Sequence, residues 1–337
     1  MRSLSELIDG VLRGDRNSVS KAISILENQD SRSTELLRAI YAHTGRAFII
    51  GVTGPPGTGK STLVDQIVKA YRSRGMKVAV LAIDPTSPLS GGAILGDRIR
   101  MLEHALDSQV YIRSMAARGE EGGLARAARN AIRVLDASGN DIVIVETVGI
   151  GQAEVEIVKV ADIVLVVLMP ELGDEIQAHK AGMMEIGDIF VVNKADLPGS
   201  DLVLYNLGAV LSTKNDKNFG WKQTALKVSG KTGLGLGELM NTLDQFRSKY
   251  VERLKESKMK QRVSEEILET VSQDIAKQLT RRVQSDPLFD DIIKRVLSKS
   301  LDPETASQIL IRKISSKGAL RKPRREKQEV KIEGDAT

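Results

Sequence analysis

The sequence predicts an α/β fold: a mostly parallel β-sheet covered on both faces by helices, with helical extensions at its N and C termini. Three observations carry that expectation. Apolar runs suited to buried strands alternate with segments of helical period through the middle of the chain. The first run, Phe48 to Val52, stops at a glycine-rich loop, Gly54-Pro55-Pro56-Gly57-Thr58-Gly59-Lys60-Ser61. A helical pattern follows from Thr62 to about Arg74, with Gly75 as its stop. Finally, polar groups gather at four strand ends, at 54–61, Asp84, Glu146 and Asn193–Asp196. Sites in open parallel sheets form at the carboxyl ends of strands, so that convergence is expected of this architecture.

Residues 1–45 read as an N-terminal extension of two or three short amphipathic helices. One starts near Asn17-Ser18 with Val19, Ile23 and Leu26 on one face, and another near Ser33 with Leu36, Leu37 and Ile40. Residues 46–245 hold the sheet. After the glycine-rich loop and its helix come strands at 76–84, 110–114, 141–146, 161–169 and 188–196. The segments 122–139 and 175–187 read as helices between them. Residues 197–222 show no clear pattern, and 227–235 reads as a last short strand and loop. A long charged helical stretch runs from Gly237 to about Val283, with Leu239, Leu243, Phe246 and Tyr250 at helical intervals. Two further helices are expected near 286–299 and 303–314, the second opened by Asp302-Pro303. Residues 246–317 are therefore assigned to a C-terminal helical region and 318–337 to a basic, disordered tail.

Composition narrows the chemistry. The chain has no cysteine, which rules out disulfides, thiolate metal sites and a cysteine nucleophile. His43, His104 and His179 lie far apart in sequence and form no metal-ligand cluster. The apolar runs are too short to span a bilayer, so a cytoplasmic protein with no membrane partner is expected. The net charge of +5 is uneven: residues 241–337 carry 22 Lys and Arg against 16 Asp and Glu, and residues 1–240 carry 27 against 28. The excess ends in RKPRREK (321–327). No aromatic residue is interleaved there for base stacking, so it is read as a solvated tail and nucleic acid is not expected as a partner.

The glycine-rich loop matches G-x-x-x-x-G-K-[ST] at every fixed position, and it has the strand-loop-helix context that the motif requires. Backbone amides from Gly54 to Thr62 can turn toward a phosphate chain, and the helix N-terminus adds positive potential. Lys60 is expected to reach the β- and γ-phosphates, and the Ser61 hydroxyl to hold Mg²⁺. Asn193-Lys194-Ala195-Asp196 fits N-K-x-D. The Asp196 carboxylate can accept two hydrogen bonds from guanine, whereas adenine offers no such donor pair. Asn193 can meet the other edge of the base and the Lys194 stem can lie over its plane. Ser229-Gly230-Lys231 stands where guanine-nucleotide proteins place a second base-contacting loop. Glu146-Thr147-Val148-Gly149 takes the place of D-x-x-G, with the acid on Mg²⁺ and the Gly149 amide at the γ-phosphate. Asp84 and Asp97 can approach the same ion, although each can also be read as a loop-capping carboxylate.

On these stretches the chain resembles the MeaB/ArgK family of P-loop GTPases, which includes the human methylmalonic aciduria type A protein. The resemblance runs through GDRNSVSKAISILEN, GVTGPPGTGKSTL, AIDPTSPLSGGAILGDRIRM, RGEEGGLA, ETVGIGQAE, GDEIQAHKAGMMEIGDIFVVNKAD and DPETASQIL, and spans about residues 10–315. It implies a GTPase of the class that also contains the signal-recognition-particle and hydrogenase-maturation GTPases. It also implies bound GTP or GDP with Mg²⁺, and a homodimer held by C-terminal helices. The work it implies is that of a chaperone for an adenosylcobalamin-dependent acyl-CoA mutase such as methylmalonyl-CoA mutase. By position, Ser61, Asp84, Asp97 and Glu146 fall on the Mg²⁺-linked groups. Lys60, Glu146 and Gly149 fall on the catalytic ones. Asp174, Gln177 and Lys180 fall on a third mobile loop that signals to the mutase. Glu121 departs from the apolar residue usual in the family's RG-x-LGGLA segment. Two other readings compete. One is a metallochaperone GTPase for nickel enzymes, disfavoured by the lack of cysteine. The other is an arginine/ornithine-transport kinase, suggested by older family names.

Overall fold

The computed structural model of the chain describes residues 3–85, 104, 106–117, 123–147, 156–170, 182–212, 221–253 and 255–316, with the backbone alone at 84–85, 117, 123–125, 251–253 and 314–316. The chain forms two compact units, Met1–Met259 and Lys260–Thr337.

The first unit is built on a seven-stranded sheet. Its strands are β1 (Phe48–Thr53), β2 (Val78–Pro85), β3 (Val110–Ala117), β4 (Ile142–Thr147), β5 (Ile163–Leu168), β6 (Ile189–Val192) and β7 (Thr224–Lys227). Their order is β3-β2-β4-β1-β5-β6-β7, and every pairing is parallel. β1 therefore lies inside the sheet, between β4 and β5, and the chain crosses it on passing from β4 to β5. That crossing is the topological switch where a crevice opens beyond the strand ends.

Both faces of the sheet are covered, which is why its strands read as unbroken apolar runs. Alternate residues serve opposite cores. Ile50, Val52, Val80, Ile144, Leu165 and Val191 pack under α4 (Lys60–Ser73) and α7 (Leu236–Arg253). Leu81, Val143, Val145, Val166, Phe190 and Val192 share the other core with α5 (Gly123–Ala137) and α6 (Ser200–Ser212). α1 (Leu4–Leu12), α2 (Arg16–Glu27) and α3 (Ser33–Tyr41) join that second core through Leu7, Val11, Val19, Ile23, Leu36 and Ile40.

The amino ends of the strands are pinned by carboxylates. Asp141 accepts the Lys77 amide at 2.8 Å, Asp162 the Ile49 amide at 2.9 Å and Asp188 the Val164 amide at 2.9 Å. Each of these acids directly precedes its own strand and holds a neighbouring one. Asp136 does the same for the approach to β1, accepting the amides of Gly45, Arg46 and Ala47. At this same end Phe48, Trp221, Phe246 and Tyr250 form one aromatic cluster, and the Tyr250 hydroxyl donates to Asp162 at 2.7 Å.

The structure moves several expected boundaries. α4 begins at Lys60, inside the glycine-rich motif, because the loop turns directly into the first helical turn. β3 extends to Ala117. The last strand is Thr224–Lys227, so the Ser229-Gly230-Lys231 run lies in the loop beyond it. α6 occupies part of the stretch where no pattern was legible. α8 (Lys255–Gln284) belongs partly to each unit. α9 (Leu288–Leu297) and α10 (Pro303–Ser316) pack on each other through Ile292, Ala306 and Leu310. The Asp302 side chain caps α10 by accepting the Thr305 amide at 2.9 Å. Among the described residues no helix is long and apolar enough to cross a membrane. The basic tail lies outside the described residues.

Candidate nucleotide site

The glycine-rich loop is closed by its own lysine. Lys60 is 7% exposed, and its ammonium donates to the carbonyls of Gly54 at 2.8 Å and Pro55 at 3.0 Å. A buried ammonium needs such acceptors, since burial without them is costly. The Thr58 hydroxyl donates to the Pro55 carbonyl at 2.9 Å and tightens the same turn. Two glycines are obligatory here. Gly54 has φ 138°, and a Cβ would fall 2.1 Å from the Val167 carbonyl oxygen. Gly59 has φ 84°, and a Cβ would fall 2.5 Å from Asn193 Nδ2. Gly59 also caps α4 without a side chain of its own to fold back on the first turn.

Register places the acid of β4 beside this loop. Glu146 pairs with Val52 across the sheet, and Ser61 Oγ donates to its Oε1 at 2.6 Å. Both side chains are buried, at 6% and 4% exposure. Next to them the Thr147 hydroxyl donates to Thr53 Oγ1 at 2.9 Å, tying the ends of β4 and β1 together. Ser61 and Glu146 offer adjacent hard oxygen donors, which suits Mg²⁺. No group of three or more His, Cys, Asp or Glu able to hold a metal occurs among the described residues. Mg²⁺ usually takes one or two protein carboxylates and completes its shell with phosphate oxygens and water. Asp84 is the penultimate residue of β2, in register with Ala116. Asp97, Gly149, Asp174, Gln177, Lys180, Glu121, Ile150 and Gln152 lie outside the described residues.

The N-K-x-D residues follow β6, two strands from β1, and reach the loop through Asn193. Its Nδ2 donates to the carbonyls of Thr58 at 2.7 Å and Gly59 at 3.3 Å, and its Oδ1 accepts the Gly230 amide at 3.0 Å. With 2% exposure and both ends of the amide engaged, Asn193 acts as a brace between the phosphate loop and the 229–231 loop. Gly230 packs against the start of α4, where a Cβ would lie 3.3 Å from the Leu63 nitrogen. Asp196 is exposed, and its Oδ1 accepts the Ser229 hydroxyl at 2.6 Å. That bond, with the carboxylate's own backbone amide and the nearby Lys231 and Lys194, holds its pKa below the ordinary value. A carboxylate so held presents an acceptor aimed outward. Lys231 is exposed beside it, and Lys194 stands at φ 55°.

A parallel α/β sheet whose central strand opens into a phosphate loop, braced to a guanine-type N-K-x-D and S-G-K pair, defines a P-loop GTPase. Comparison with known proteins gives the particular family. Residues 19–284 match the family described as Methylmalonyl Co-A mutase-associated GTPase MeaB, and the chain belongs to that family and hydrolyses GTP. A relative from Pyrococcus horikoshii is 46% identical over 319 residues, 93% of this chain and 99% of its own. GTPase ArgK of Escherichia coli is 32% identical over 314 residues, 90% of this chain and 94% of its own. The mouse methylmalonic aciduria type A homolog is 30% identical over 339 residues, 94% of this chain and 80% of its own. A solved structure described as a LAO/AO transport system kinase superposes with a TM-score of 0.71 at 26% identity, covering 93% of this chain and 97% of that one.

Proposed function

We propose that the protein is a cytoplasmic G-protein chaperone that assists cofactor loading and protection of an adenosylcobalamin-dependent acyl-CoA mutase of the methylmalonyl-CoA type. The match of residues 19–284 to a family named for its association with that mutase carries this reading. The mouse relative's name supports it.

In this reading the amides of Gly54–Thr62, with Pro55 and Pro56 shaping the turn, bind the phosphate chain. Lys60 exchanges the Gly54 and Pro55 carbonyls for β- and γ-phosphate oxygens, a stronger charge-assisted pairing. Ser61 and Glu146, with Asp84 and Asp97, hold Mg²⁺, which neutralises charge on the phosphates when bound. Glu146 serves by accepting from Ser61, and Gly149 offers its amide to the γ-phosphate. Asp196 reads guanine, Ser229 orients Asp196, the Lys194 stem covers the base, and Asn193 with Gly230 fixes the distance between base and phosphates. Lys231 adds a smaller electrostatic pull on the Asp196 carboxylate, after the Ser229 hydroxyl. Ile150 follows Gly149, where Ras-like enzymes place a water-orienting glutamine, and Ile150 has no side-chain hydrogen-bonding group. The attacking water is therefore poorly positioned in the protein alone, and basal hydrolysis is slow until a partner completes the site. Asp174, Gln177 and Lys180 couple nucleotide state to that partner.

The protein works as a homodimer. Ile267, Leu268, Val271, Ile275 and Leu279 of α8 are 41–66% exposed; Ile267, Val271, Ile275 and Leu279 recur at four-residue intervals and Leu268 stands beside them, forming one apolar stripe. The fully buried core of the second unit is only Ile292, Ala306 and Leu310 among the described residues. So small a core does not offset the ordering of three helices, and a second copy's stripe would.

The test is single-turnover hydrolysis of γ-labelled GTP, with and without an adenosylcobalamin-dependent mutase from the same source. Slow release of free phosphate, accelerated by the mutase, is the expected result. Fast release that ignores the mutase would overturn the chaperone role. The kinase description of the structurally similar protein favours a second reading, and label transferred to protein would establish it.

A further inference from the structure

The guanine site has a floor that its motifs do not name. Chain leaving β5 passes directly into Met169 and Pro170, and both are partly buried. Lys194 Nζ donates to the Met169 thioether at 3.2 Å. One residue on, Pro170 faces the end of the same loop: a Cβ on Gly199 would lie 3.6 Å from Pro170 Cβ. One hydrogen bond and one close backbone approach therefore place the 194–199 loop at the exit of β5.

Lys194 itself is held in an uncommon way. Its φ of 55° is a left-handed conformation that a residue with a Cβ adopts at a cost. The backbone around it is fixed, because the Ala195 amide donates to the Val228 carbonyl at 3.1 Å and the Leu197 amide to the Lys194 carbonyl at 2.9 Å. What stays free to swing is the four-carbon stem. A thioether is a weak acceptor, strong enough to bias the ammonium and too weak to compete with a ligand.

We propose that Met169 is a positioning residue for guanine recognition: its sulfur tethers the Lys194 ammonium so that the stem is already laid along the base plane before nucleotide arrives. The inference rests on the guanine-site reading given above and adds a residue outside the recognised motifs. Pre-setting a long flexible side chain spares its ordering cost on binding, so the effect appears in affinity. A change at Met169 leaves the donor and acceptor pattern read by Asp196 unchanged.

The experiment is GDP and IDP affinity by calorimetry on the full chain, for Met169→Leu, Met169→Gln, Lys194→Ala and the Met169→Leu/Lys194→Ala pair. Leu keeps the volume and loses the acceptor, while Gln keeps length and an acceptor oxygen. Met169→Leu is expected to weaken GDP about fivefold, the order of one weak hydrogen bond to a charged group, and Met169→Gln to bind as wild type. The double variant is expected to match Lys194→Ala alone, and the ratio of GDP to IDP affinity to stay constant. A simple packing role gives the opposite order, with Leu tolerated and Gln harmful. That order, or additive losses in the double variant, overturns the proposal. Wild-type protein that binds no GDP would sink the guanine-site reading itself, and the Met169 role with it.

Discussion

Asp196 stays ionised further into acid than an ordinary carboxylate, because the Ser229 hydroxyl donates to it and two lysines lie near. The sign follows directly. Its folded pKa is depressed, so an interaction that needs the carboxylate persists above that value and is lost only as pH falls through it. Ser229→Ala removes the leading cause and raises the pKa toward the unperturbed value of about 3.9. GDP affinity of that variant should therefore fall off at higher pH than wild type, while the two agree at neutral pH. Nucleotide titrations over a descending pH series check this, with circular dichroism to confirm that the fold survives. The motif letters at 193–196 were legible in the sequence, but their division of labour was not. Asn193 has the side chain of a base reader, and the structure adds a second role, because its amide also ties the Thr58, Gly59 and Gly230 backbone together. Only the three-dimensional distance between β1 and β6 decides that.

At the scale of elements, the sheet depends on acids that precede its strands. Asp141-Ile142, Asp162-Ile163 and Asp188-Ile189 repeat one local pattern, and each carboxylate holds the amide of an adjacent strand. Asp162 carries most, since Ile49 N and the Tyr250 hydroxyl both donate to it. Asp162→Ala leaves the buried Tyr250 hydroxyl and the part-buried Ile49 amide without this acceptor and should cost about 2–6 kcal/mol, at roughly 1–3 kcal/mol for each stranded group. Urea unfolding measures it, and a loss under about 1 kcal/mol would show that water or a neighbour replaces the carboxylate. The repeated Asp-Ile pairs stood in the sequence as the signal for this device, but its meaning requires knowing which strands are neighbours. α6 was missed for another reason. Leu202, Tyr205 and Val210 are exposed while Val203, Leu207 and Leu211 are buried, so apolar residues surround the helix and blur its period.

For the whole molecule, the helices before the phosphate loop are part of the core. Leu36 and Ile40 are fully buried, and Arg113 of β3 donates to Ser20, Ser24 and Glu27 of α2. Deleting residues 1–45 would uncover one sheet-facing core, and the remaining chain is expected to be insoluble or molten, as judged by near-ultraviolet circular dichroism and dye binding. A soluble, cooperative 46–337 fragment would show that these helices are an appendage. The C-terminal unit gives the complementary case. Leu268→Glu with Ile275→Glu places charge on the α8 stripe and, if the proposed homodimer forms through it, should lower the mass read by light scattering from that of a dimer to that of a monomer. Basal GTP hydrolysis should change little, because neither residue belongs to the nucleotide site. A variant that keeps wild-type mass would remove α8 from the interface.

By itself the sequence determined the alternation of strand and helix, the phosphate loop, the guanine motif and the family. Each of these is written in a contiguous stretch whose period or spacing is local physics. Tertiary structure decided which strands adjoin β1, and therefore that Glu146 meets Ser61 and that Asn193 braces the loop. It also decided that Met169 lies beneath Lys194. Those pairings join residues far apart in the chain, and side-chain periodicity carries no information about strand order. In a parallel sheet every interior strand is apolar on both faces, so any order satisfies the pattern, and only the packed molecule chooses one.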